Sequence, residues 1–165
     1  MTDAAADDTL PARIKASVER WLSEDGWRVE SMIEVQGANW ALLATDPGQR
    51  KVIFIQKPDR DDELVMLARF VFSDEDTAAI YKLSQKERDA LLMDMRLDLL
   101  RGDVDYDGLD FPLKEVQIVH RIFFDALTKD EFFRRLSQIR RSTVLTQMHL
   151  NRVHTPDGLR EVANG

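Results

Sequence analysis

Residues 64–72, LVMLARFVF, carry apolar side chains on both sides of an extended chain, and few folds can use such a segment. Leu64, Met66, Ala68, Phe70 and Phe72 fall on one side at a period of two. Val65, Leu67 and Val71 fall on the other, with Arg69 as the exception. An antiparallel strand with one wet face alternates apolar with polar residues. This strand asks for cover on both faces, which is more than the helices of one chain are expected to supply.

The flanking segments place it in a sheet. WALLAT (40–45) and KVIFIQK (51–57) precede it, and DPGQR and PDRDD stand between the three runs, the pattern of an antiparallel meander. Before them, WRVESMIEV reads as extended. A first helix is expected over residues 9–24, with Thr9 as cap, Pro11 in the first turn, and Ile14, Val18, Trp21 and Leu22 at helical spacing before Gly26. A second runs from Ser84, paired with Glu87 in a capping box, to Arg101, with Gly102 as its stop. LKEVQIVHRIFF (113–124) reads as a strand. Thr128 and Glu131 then form another capping box and open a long helix to about Val153, whose buried stripe is Phe132, Leu136, Ile139, Thr143 and Leu150. The fold class is α+β: helix, three-stranded antiparallel meander, helix, one or two further strands, long C-terminal helix. Residues 9–155 form one domain in this reading, with disordered ends at 1–8 and 156–165.

At 165 residues the chain can bury a core without staples, and having no cysteine it has neither disulfides nor thiol chemistry. With no basic-then-apolar start and no run of membrane-spanning length, the expected compartment is the cytoplasm, with no membrane partner. The net charge of −7 is uneven. Residues 128–155 set Lys129, Arg134, Arg135, Arg140, Arg141 and Arg152 against Asp130 and Glu131, so one basic helix stands on an acidic body. That field repels phosphate and disfavours nucleic acid. It suits an acidic or amphipathic protein segment, or the acidic part of a second copy.

The motifs that resemble chemistry stop short of it. In GDVDYDGLDFPLKE (102–115), Asp103, Asp105, Asp107 and Gly108 match the first half of a calcium loop. The position needing a bidentate glutamate is Lys114, however, and a strand follows instead of a helix. A second acidic cluster, Asp59, Asp61, Asp62 and Glu63, follows Pro58 in an order that invites comparison with restriction nucleases. Yet no acid stands two residues before any lysine, as their metal site requires. His120 sits on an apolar strand face as a hydrogen-bonded core residue, and His149 and His154 are five apart, off the spacing of a helical metal pair. No phosphate loop or nucleophile elbow is present. The expectation is a non-enzymatic chain with no cofactor, no metal and no catalytic residue; the alternative is a metal-dependent hydrolase using the acidic loop residues.

Helix faces point to partners instead. In the second helix Leu91, Leu92, Met95 and Leu99 make one apolar arc, and Ala90, Met93, Leu97 and Leu100 make another. On the long helix Arg134, Arg141, Met148 and Arg152 project opposite the buried stripe, with Leu145 nearby, a face suited to an acidic, partly apolar peptide. These four are the expected partner-binding residues.

The order of elements, together with RWLSEDGW, the meander, LLMDMRLDLL and IFFDALTKDEFFRRL, resembles the type III secretion chaperone-like fold, in particular its small bacterial and archaeal relatives near the YbjN group. The resemblance spans about residues 9–153. It implies an α+β homodimer that binds protein segments without catalysis, a chaperone-like or adaptor module, and two strands before the last helix, the first from VDYDGLDF.

Overall fold

The computed structural model describes residues 9–33 and 35–155; the ends at 1–8 and 156–165, expected to be disordered, lie outside the described residues. In chain order the elements are α1 (Leu10–Glu24), β1 (Arg28–Ser31), β2 (Trp40–Thr45), β3 (Lys51–Lys57), β4 (Arg60–Val71), α2 (Asp74–Tyr81), α3 (Gln85–Arg101), β5 (Asp105–Asp107), β6 (Glu115–Phe123) and α4 (Lys129–His154). The strands form one six-stranded sheet in the order β1-β2-β3-β4-β6-β5. The meander is antiparallel, in the register Leu42↔Phe54↔Met66 and Leu43↔Ile53↔Leu67. β6 runs antiparallel to β4, with Phe124 N donating to Asp62 O at 2.7 Å and Phe72 N to Lys114 O at 2.9 Å.

The two registers separate the faces that the alternation left crowded. Leu42, Phe54 and Met66 are fully buried, whereas Leu43, Ile53 and Leu67 are half-buried, as are Ile55 and Val65 in the next row. Contacts gather into two compact units. One takes the described residues up to Leu67 with Arg121–Phe132, the other Ala68–His120 with the described residues from Phe133 onward.

In the first unit, the Phe132 ring stacks on Phe54 at 5.4 Å and Trp21 leans on Phe132 at 5.5 Å, so α1 and the start of α4 close the same face of the meander. Val18 and Leu22, one turn apart on α1, bury completely there. Trp40 Nε1 donates to Pro11 O at 3.0 Å, which fixes the helix start that proline leaves without an N–H. Burying side chains of this size stabilises by about 1.5–3 kcal/mol each, which makes the Phe54–Phe132 pair a main anchor of the unit.

In the second unit, α3 buries Leu91, Leu92, Met95 and Leu99, β6 buries Val116 and Ile118, and α4 buries Leu136, Ile139 and Leu150. Both α2 and α3 begin with complete capping boxes, Ser73 with Asp76 and Ser84 with Glu87. Gly102 ends α3 at a close approach: a methyl group there would come 2.7 Å from Ser142 Oγ on α4. Gly108, at φ +92°, has no room for a side chain against the Glu115 carbonyl oxygen, and so sets the turn out of β5.

Three expectations change and one is met. The acidic PDRDD segment is not all turn, because β4 already starts at Arg60 opposite Lys57, leaving Pro58 and Asp59 as the hairpin tip, with a bulge between Ile55 and Lys57. The helix α2 is additional. VDYDGLDF does supply a strand, three residues long, paired through Tyr106↔Ile118. Thr143 is only half-buried, its hydroxyl donating to Ile139 O at 3.0 Å, while Ser142, Thr146 and His149 are buried on α4 instead.

Candidate functional site

The long helix presents two chemically different sides. It opens where Thr128 Oγ1 accepts from Glu131 N at 3.2 Å, with Asp130 and Glu131 in its first turn and Arg152 and His154 in its last, both matched to the helix dipole. Arg134, Arg141, Met148 and Arg152 all lie exposed on the side away from Phe132, Leu136 and Leu150. Val144, 40% exposed, joins Met148 between the arginines; it stands at the edge of the arc and the sequence reading passed over it. Arg141 and Arg152 form no ion pair among the described residues. From residue 134 to residue 152 this cationic and apolar strip runs roughly 27 Å at about 1.5 Å per residue.

The inner side of α4 holds the chain's three histidines in hydrogen bonds. His120, on β6 and 7% exposed, meets Gln138 Oε1 through Nε2 at 3.0 Å, while Arg135 Nη1 stands 3.2 Å from Nε2 and 3.4 Å from Nδ1. Arg135 therefore faces the ring edge between both nitrogens, while Gln138 reaches Nε2. Burial, and then the Arg135 charge, hold the His120 pKa below the ordinary histidine value. Gln138 Nε2 and Arg135 Nη1 reach Asp103 at 3.5 and 3.6 Å, and Asp103 has a left-handed backbone (φ 55°). His149 Nε2 meets Asp98 of α3 at 2.8 Å, and His154 Nε2 meets Asp76 of α2 at 2.8 Å. Sequence reasoning placed His120 on a strand face, but its partners come from segments distant in sequence and carried no local signal.

Asp107 Oδ1 accepts from Gly108 N, its own neighbour, at 2.9 Å, and Asp103 turns toward α4, so the alternate aspartates of the loop are drawn apart. Of the other cluster, Asp62 borders an open cleft with Leu10, Phe123, Phe124 and Asp125, while Glu63 is buried. Among the described residues, no three histidine, aspartate or glutamate side chains stand together as a metal ion would need.

Helix α3 divides as its wheel predicts. Its first arc is core. Its second, Ala90, Met93, Leu97 and Leu100, faces out, with Met93 52%, Leu97 38% and Leu100 62% exposed. Among the described residues no helix is long and apolar enough to cross a membrane.

Comparison with known proteins agrees with this fold and adds no chemistry. The family model described as "Uncharacterized conserved protein (DUF2299)" matches residues 14–150, and the chain belongs to that family. Among solved structures, the crystal structure of an uncharacterized protein from Methanothermobacter thermautotrophicus is similar at a TM-score of 0.76 and 24% identity, covering 83% of this chain and 96% of that one. That likeness establishes the fold alone. No curated protein matches.

Proposed function

We propose that this family member is a non-enzymatic, chaperone-like or adaptor module that works as a homodimer and holds an acidic, partly apolar protein segment along the outer face of α4. The observation that carries this reading is the α4 strip itself, where Arg141 and Arg152, exposed and without ion pairs among the described residues, flank exposed Val144 and Met148. An arginine's planar fork pairs with carboxylates in two-point contacts, while methionine adapts to apolar side chains of varied shape. Arg134 continues the strip by two turns. The dimer is supported by the apolar surface a single chain leaves open, which comprises the α3 outer arc and the half-buried Leu43, Ile53, Ile55, Val65 and Leu67 of the meander. The resemblance of the element order to type III secretion chaperone-like folds supports the same reading.

The test is fluorescence anisotropy with a labelled helical peptide that carries glutamates and leucines at heptad spacing. The native chain binds it, and Arg141→Glu combined with Arg152→Glu weakens binding at least about tenfold, or about 1.4 kcal/mol, with the circular dichroism spectrum unchanged. No binding by the native chain, or equal binding by the double variant, would overturn the α4 reading.

A further inference from the structure

The geometry points to α3 as the self-association seam, paired antiparallel with α3 of a second copy across a two-fold axis level with Met95. This rests on the homodimer reading and gives it a location and a direction. Ala90, Met93, Leu97 and Leu100 are spaced three, four and three residues apart, the interval at which one helix meets another along a narrow seam. All four are exposed on the side away from the buried Leu91, Leu92, Met95 and Leu99. Among the described residues the buried core does not use this spacing.

Charge selects the occupant. An isologous interface sets every group near the axis against its own copy, so a run of unpaired like charges opposes it. On α3 the charges beside the stripe are occupied within the chain. Arg88 donates to Gln85 Oε1 at 2.8 Å, Gln85 Nε2 donates to Asp89 at 2.8 Å, and Glu87 closes the capping box with Ser84. Arg96 donates to Leu109 O at 2.6 Å and Asp110 at 2.9 Å, and Arg101 lies 3.5 Å from Asp98. Lys86 and Asp94, which make no ion pair among the described residues, are of opposite sign. The α4 strip is the opposite case: Arg141 and Arg152, without ion pairs among the described residues, would meet like charges of a second copy, so it suits an acidic stranger and α3 suits itself.

Direction follows from size and dipole. Antiparallel pairing sets Met93 beside Leu97 of the second copy and Ala90 beside Leu100 of the second copy, small against large in each outer layer. Parallel pairing would set Ala90 against Ala90 and leave a gap there, and it would also align the two helix dipoles.

The chain has no cysteine, so single thiols can report the pairing. Light scattering of the full chain at tens of micromolar should give twice the 19.1 kDa chain mass, and Met93→Glu with Leu97→Glu should return it to one chain with the melting temperature kept. Mixing the single variants Met93→Cys and Leu97→Cys under mild oxidation should give several-fold more cross-linked dimer than either variant alone. A native chain of single mass would overturn the seam and the homodimer together. A dimer that survives the two glutamates but falls apart with Ile53→Glu would overturn the seam alone and move the second copy to the sheet. Cross-linking of each thiol variant by itself, with no excess in the mixture, would overturn the antiparallel order. Peptide binding at Arg141 is read independently of all three.

Discussion

At the scale of single residues, His120 carries the most physics. Burial and then the Arg135 charge hold its pKa below the ordinary histidine value, while the hydrogen bond with Gln138 opposes them. Asp103 and Asp105 pull the same way as Gln138, but more weakly than burial and Arg135. A protonated ring would put two cations side by side, because Arg135 Nη1 lies 3.2 Å from Nε2 and 3.4 Å from Nδ1. The folded pKa lies below that of the unfolded chain, near 6.5, so the unfolded state binds the proton first. Stability from this site is therefore complete above about pH 6.5 and is lost as pH falls through the lowered folded value. One proton sets a ceiling of about 1.4 kcal/mol per pH unit on the slope. Urea unfolding between pH 7 and pH 5 should show the native chain losing stability more steeply than His120→Gln, which keeps a hydrogen-bonding side chain and has no proton to gain. Parallel slopes would mean that His120 is no more costly to protonate folded than unfolded.

At the scale of elements, the caps decide where helices begin, and they also decide what was readable. Ser84 accepts from Glu87 N at 3.3 Å, while Glu87 Oε2 accepts from Ser84 N at 2.8 Å. Ser84→Ala should therefore cost about 1 kcal/mol, and Ser73→Ala, at the start of α2, a similar amount. For a chain of this length that is a fall of roughly 2–4 °C in melting temperature for either variant, readable by calorimetry. The Ser84 box preceded a long apolar pattern and marked α3 plainly. The Ser73 box opened only eight residues, of which Ile80 alone is buried, so no amphipathic stripe drew attention to α2. The start of β4 was hidden for a related reason. Arg60 and Asp62 are exposed where the strand passes the hairpin bulge, so they read as turn residues although their backbone is extended. Periodicity found every element that buries a face, including both arcs of α3 and the outer side of α4. It could not find what convergence creates, such as the polar group around His120 or the 2.8 Å bond from His149 to Asp98.

At the scale of the whole molecule, both ends of the sheet are blunted. The strand β1 has four residues with Arg28 and Glu30 paired at 3.0 Å, and β5 has three with Asp105 and Asp107 exposed. Short, charged edge strands discourage strand addition, so the proposed association is assigned to helix and sheet faces. The two proposed surfaces should answer to salt in opposite ways. Two copies of a chain with net charge −7 repel each other, and the proposed α3 seam rests on apolar contact rather than on attraction between free charges. The proposed hold of the α4 strip on an acidic segment rests on Arg141 and Arg152, and its pull should fall when they are screened. Going from 0.1 M to 1 M sodium chloride shortens the screening length from about 10 Å to about 3 Å. Sedimentation equilibrium should then show self-association unchanged or tighter, because repulsion is removed while apolar contact remains. Anisotropy with the acidic peptide should show binding weakened about tenfold or more over the same range. Because the two responses differ in sign, one titration separates the surfaces without a mutation. If self-association and peptide binding weakened together, free charge would be holding both, and α3 could not be the seam.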